Sequence, residues 1–138
     1  MLMEYRFKVP CTKSKLGDIR EFLQRVLSEN SIPDVTVNTL VLAVDEVCAN
    51  LIIHSHNCNP DEHLELKVKV VGNSEITFDI IDHGDGFNIG EYKEPLISDI
   101  VKQKRKGGIG LMLVRRIMDE VELIQGKKKN VYRLHKKI

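Results

Sequence analysis

The sequence predicts one compact α/β domain, and three stretches carry that expectation. Thr39 to His56 is a long apolar run at helical spacing, Ser14 to Glu29 is a second, amphipathic helix, and His63 to Ile81 reads as two alternating strands joined by a turn. With 138 residues, 42% of them hydrophobic and 30% charged, the chain can enclose one core, and a second domain is not expected.

In chain order, Met3 to Val9 alternates loosely as a strand, and Pro10, which has no amide hydrogen to give a ladder, ends it. From Ser14 to Glu29, Leu16, Ile19, Phe22, Leu23, Val26 and Leu27 fall on one side of a helix and charges on the other. A turn follows in which Pro33 and Asp34 suit the first turn of the long helix. There Leu40, Val44, Val47 and Leu51 recur at core-facing spacing. Asn57 to Glu62 is rich in turn formers. Leu64, Leu66, Val68 and Val70 then alternate with Glu65, Lys67 and Lys69. Past the hairpin signal Gly72-Asn73, Ile76, Phe78 and Ile80 share one face of a returning strand, so the two strands are antiparallel neighbours.

Asn88 to Lys106 has no periodicity and reads as disordered or as a functional lid. A helix begins with LMLVRRIMDEV, where Leu111, Leu113, Val114, Ile117 and Met118 are available for packing. Glu120 to Gln125 and Asn130 to Lys137 close the chain as two short strands around Gly126-Lys127-Lys128-Lys129.

Three places carry polar groups or glycines that packing does not ask for. Glu46 and Asn50 stand one above the other on the long helix, with His54 a further turn along. An unpaired buried polar group costs about 1–3 kcal/mol, so this stripe is either solvated, satisfied by loop backbone, or covered by a ligand. Asp82, Gly84 and Gly86 follow directly on a strand, where glycine lets the backbone approach a ligand and the carboxylate is left as an acceptor, although a plain turn has the same composition. Gly107, Gly108 and Gly110 open the third helix, whose first amides suit an anion, just after the basic run Lys102, Lys104, Arg105, Lys106. Neither glycine cluster is a Walker loop, and Ile89 and Leu113 stand where a dinucleotide fingerprint needs its third glycine.

The formal charge of +1, from 21 basic and 20 acidic residues, gives no electrostatic case for direct nucleic-acid or membrane binding. Cys11, Cys48 and Cys58 lack metal or redox spacing and read as free thiols of a reducing cytoplasm. The charged N-terminus is not a signal peptide, and no run is expected to approach the roughly 20 apolar residues of a membrane span.

Taken together, Glu46 with Asn50, Asp82 with Gly84 and Gly86, and Gly108 with Gly110 and Leu111 resemble the N, G1 and G2 boxes of the GHKL superfamily of ATP-binding domains. Order and spacing match over nearly the whole chain. Within that superfamily the compact length, His54 after the first box and GGIGLMLVRRIMDEVEL resemble the bacterial anti-sigma factor serine/threonine kinases of the RsbW and SpoIIAB type. The resemblance implies the Bergerat fold, an α/β (α+β) two-layer sandwich whose mixed, mostly antiparallel sheet is covered on one face by helices.

It further implies ATP and Mg²⁺ as cofactors. Asp82 would accept from the adenine amino group, with Gly84 and Gly86 passing close to the base. Lys106, Gly107, Gly108, Ile109, Gly110 and Leu111 would hold phosphate oxygens. Asn50 would ligate Mg²⁺ and Glu46 would act as general base, whereas His54 has a structural expectation. The implied partners are an anti-anti-sigma (STAS-type) protein and a sigma factor, with homodimer or partner contacts through the first strand and helix, including Arg20 and Arg25. A switch kinase activating a signalling phosphatase, or an ATP-gated binding module without catalysis, would carry the same boxes.

Overall fold

The structure, a computed structural model, describes residues 2–83, 106–126 and 129–138, and of residues 106–111 the backbone alone. Strands β1 (Leu2–Pro10), β2 (His63–Val71), β3 (Glu75–His83), β4 (Glu120–Gln125) and β5 (Asn130–Lys137) form one sheet in the order β1-β2-β3-β5-β4. Every pairing among the described residues is antiparallel. Helices α1 (Leu16–Glu29), α2 (Asp34–Asn50) and α3 (Lys106–Ile117) form the second layer, with α2 packed against both α1 and α3.

Alternation decides which sheet face is dry. Leu64, Leu66, Val68 and Val70 of β2, Ile76, Phe78 and Ile80 of β3, and Leu134 of β5 are each at most 2% exposed and share one core with Leu23, Leu27, Leu40, Val44 and Ile52. The opposite face is polar and cross-linked. Arg133 donates to both oxygens of Asp79, at 2.8 and 3.0 Å, and Lys67 pairs with Glu4 at 3.1 Å. At the sheet edge Phe7 of β1 stacks on Phe22 of α1, with ring centroids 4.9 Å apart.

The turns follow backbone chemistry. Val71 and Glu75 pair across a three-residue loop that starts on Gly72 at φ +52°, a region side chains disfavour. After α1, the amides of Ser31 and Ile32 donate back to the carbonyls of Ser28 and Leu27 at 3.1 and 3.2 Å, which is a Schellman closure. Ser31 holds its left-handed position at φ 61°. Glycine suits that position better, so Ser31→Gly is expected to stabilise the chain by about 0.5–1 kcal/mol in urea unfolding.

Three expectations need correction. The helical run Asp34–Ser55, 22 residues, is long and apolar enough to cross a membrane by length and composition, because the helix begins five residues before Thr39. Packing explains its composition: 56% of its most apolar window is buried against the other helices and the sheet. Leu113 is 38% exposed, since the buried stripe of α3 centres on Val114 and Met118. That helix also starts at Lys106, ahead of Leu111.

Candidate functional site

Helix α2 brings Glu46 and Asn50 onto one stripe, as their four-residue spacing requires. The Asn50 amide Nδ2 donates to the Glu46 main-chain carbonyl at 2.7 Å, which orients the side chain. Its carbonyl oxygen Oδ1 is left buried, with no partner among the described residues. Glu46 is half-buried; burial, and then the neighbouring Asp45 charge, push its carboxyl above the ordinary range. Asp45 is held by Arg20 at 3.1 Å, and Arg25 lies 5.8 Å from the centre of the Phe22 ring, so both arginines make contacts within the chain.

At Asn50 the α-helix gives way to a π-helical segment, Leu51–Ser55, closed by the His56 amide donating to the Leu51 carbonyl at 3.0 Å. Such wider turns hold an extra residue and often occur at functional sites. The change of phase has two results: His54 is exposed, and His56 is carried inward to 4% exposure. An uninterrupted α-helical stripe assigns weight to His54, whereas the structure places His56 in the interior.

His56 reaches Asp82, at the end of β3, through Nε2, and Glu62, in the loop before β2, through Nδ1. A neutral imidazole has one N–H and can serve one carboxylate; the imidazolium serves both. Burial pulls the His56 pKa down, but the hydrogen bonds and charges of Asp82 and Glu62 outweigh it and the net shift is upward. Asp82 is 1% exposed, and its second oxygen, Oδ2, has no partner among the described residues. Directly across the ladder on β5 stands Asn130, fully buried, with both amide atoms equally without partners.

Cys11 closes the cluster from the end of β1, its amide donating to the Glu62 carbonyl at 2.8 Å. Burial, followed by the charges of Asp82 and Glu62, pushes its thiol up to about 12. Cys48 is also buried and raised, whereas Cys58 is half-buried. In native protein Ellman's reagent is therefore expected to modify Cys58 readily and to reach Cys11 and Cys48 only after unfolding.

Buried orphan atoms are rare in folded proteins and call for a partner. Among the described residues they include Asn50 Oδ1 at the end of α2 and, at the sheet end beneath the helix layer, Asp82 Oδ2 and the Asn130 amide. An oxygen ligand fits a hard cation, and a lone carboxylate oxygen in a dry site fits an amino-group donor. The model of the family described as histidine kinase-like ATPase domain matches residues 9–136. The chain belongs to the histidine kinase-like ATPase family.

Among curated members, the chain is similar to the serine-protein kinase RsbW of Bacillus pumilus, 30% identical over 84% of this chain and 75% of the relative. It is also similar to RsbW of Bacillus subtilis, at 30% over 84% and 74%, and to the anti-sigma F factor of Bacillus cytotoxicus, at 32% over 61% and 57%. The chain thus spans about three quarters of the RsbW relatives. This places it among the ATP-using kinases of the histidine kinase-like ATPase family.

Two solved structures share the fold. One contains the RsbU and RsbW domains of a Mycobacterium tuberculosis protein, with TM-score 0.69 and 14% identity over 97% of this chain and 31% of that one. The other is a SiaB-SiaC complex from Pseudomonas aeruginosa, with TM-score 0.67 and 13% identity over 97% and 88%.

Of the residues singled out from the sequence, Glu46 and Asn50 share one helical stripe and Asp82 ends its strand facing the helix layer. Lys106, Gly107, Gly108, Ile109, Gly110 and Leu111 lie in the first turns of α3, where the first four amides of any helix lack an intrahelical acceptor. Gly84, Gly86 and the basic residues Lys102, Lys104 and Arg105 lie outside the described residues. Sequence reasoning missed His56, Glu62 and Asn130. Their signals were faint: a second histidine two positions after His54, an acid in a turn-rich loop, and an amide opening an otherwise alternating strand.

Proposed function

We propose that the chain is an ATP-dependent protein-serine/threonine kinase that acts as an anti-sigma factor. It phosphorylates an anti-anti-sigma (STAS-type) partner and binds a sigma factor once that partner is phosphorylated. The observation that carries this reading is the pair of buried acceptors without a partner among the described residues, Asp82 Oδ2 and Asn50 Oδ1, with Glu46 one helical turn from the second. Kinship with kinases named RsbW and with an anti-sigma F factor supports the choice of partners.

In this reading Asp82 Oδ2 accepts a hydrogen bond from the adenine amino group, and Gly84 and Gly86 follow the base. The α3 amides from Lys106 to Leu111 bind phosphate oxygens. Asn50 Oδ1 fits Mg²⁺, which supplies neutralisation of phosphate charge when bound. Glu46 takes the proton of the partner's serine or threonine hydroxyl as that oxygen bonds to the γ-phosphorus and the bond to the β-phosphate oxygen breaks, releasing ADP. The raised Glu46 pKa favours this, because a base with an affinity for protons nearer neutrality is the stronger acceptor. We place the protein in the cytoplasm as a homodimer of single-domain chains.

The test is incubation with γ-labelled ATP, Mg²⁺ and the anti-anti-sigma-like proteins of its own source. Label on a serine or threonine, absent with Asn50→Ala, supports the kinase and names its substrate. Nucleotide binding without transfer to any of them would replace it with an ATP-gated binding module.

A further inference from the structure

Asp82 needs something beyond a position at the strand end if it is to read a base. A carboxylate only accepts, whereas a neutral carboxylic acid can donate as well as accept. It would then bind a 6-keto purine as readily as a 6-amino one. The structure supplies the missing control in His56, clasped between Asp82 and Glu62.

We propose that His56 is a positioning residue for base selection: it engages Asp82 through Oδ1 and leaves Oδ2 as the acceptor for the base, so that the site takes 6-amino purines and refuses 6-keto purines. This rests on the nucleotide reading given above and adds to it a residue outside the boxes that define the family resemblance.

The surroundings among the described residues leave His56 as the source of that control. Among the described residues, Asp82 makes no ion pair with a lysine or arginine. His83, its chain neighbour, pairs with Glu65 at 3.4 Å. From the end of β1, Cys11 contributes a thiol held neutral at ordinary pH. From α2, Cys48 is likewise neutral, and from β5, directly opposite Asp82, Asn130 carries no charge. Glu62 enters from the loop before β2 and adds a second negative charge on the far side of the ring. That charge favours the protonated imidazole, in which both ring nitrogens donate.

The experiment is calorimetric titration of the full chain with ATP and with ITP, whose base differs at the 6-position by a keto oxygen, both with Mg²⁺, from pH 5.5 to 8. Titration of the triphosphate is common to the two nucleotides and cancels in the ratio of their affinities. For the wild type, preference for ATP of about 10- to 100-fold is expected, flat across this range.

With His56→Phe, Asp82 loses the group that engages Oδ1. The ratio should then fall towards one. His56→Gln, which retains a neutral donor, should give intermediate selectivity. A purely structural histidine would weaken both nucleotides alike and leave the ratio untouched.

An unchanged ratio in whichever variant folds overturns the proposal, and so does a wild-type ratio that collapses between pH 8 and 5.5, which needs no variant at all. Wild type binding neither nucleotide overturns the nucleotide reading and this inference together, whereas failure of the ratio alone leaves ATP binding standing.

Discussion

Glu46→Gln is expected to lower phosphotransfer by about 10²- to 10⁴-fold while leaving ATP affinity nearly unchanged. The side chain keeps its size and loses only its ability to accept a proton. The same change should raise the melting temperature slightly. Glu46 is half-buried beside Asp45, and its pKa is raised in the folded chain. Between the ordinary carboxyl value and that raised value the native state binds more protons than the unfolded one, so stability falls as pH rises through the window. Above it the ionised Glu46 is a standing cost, discounted by solvent to less than about 1 kcal/mol, which glutamine removes. Single-turnover transfer and thermal unfolding, measured on one preparation, check both parts. Normal transfer by Glu46→Ala would refute the general-base role.

Asp82→Ala should have the largest combined effect on binding and stability. Removing the acceptor is expected to weaken ATP by at least about 10- to 100-fold in a direct binding assay. It also strips a carboxylate from a buried histidine; the two side chains are 0% and 2% exposed, respectively. Breaking a buried pair from one side costs about 3–5 kcal/mol.

The pH dependence of that loss has a definite sign. The His56 pKa is raised in the folded chain, so its contribution is fully present below the ordinary histidine value of about 6.5 and is lost as pH rises through the folded value. The gap in urea midpoint between wild type and Asp82→Ala should therefore be wider at pH 6 than at pH 9. A gap independent of pH would show that the imidazolium contributes nothing to the pair.

Much of the fold is legible in short windows of sequence, because the forces that set it are local. Alternation over Leu64, Leu66, Val68 and Val70 specifies both a strand and its dry face, and β2 spans His63–Val71 as that pattern predicts. The spacing of Ile19, Phe22, Leu23, Val26 and Leu27 does the same for α1. Glu46 and Asn50 are likewise legible, since residues four apart on a helix must share a face. Element starts were less legible: α3 begins at Lys106, ahead of its glycines.

By itself, then, the sequence determined which segments are helix or strand, which side of α1, α2, β2 and β3 is dry, and that Glu46, Asn50 and Asp82 are polar groups packing did not require. Only the tertiary structure decided which histidine enters the site. The π-helical turn at Leu51–Ser55 rotates His54 out and His56 in, and His56 then meets Asp82 across 26 residues of chain. No periodicity encodes that meeting. It arises because burying the end of β3 under the helix layer makes a lone carboxylate costly, and among the described residues the basic group paired with it lies on the far side of a loop.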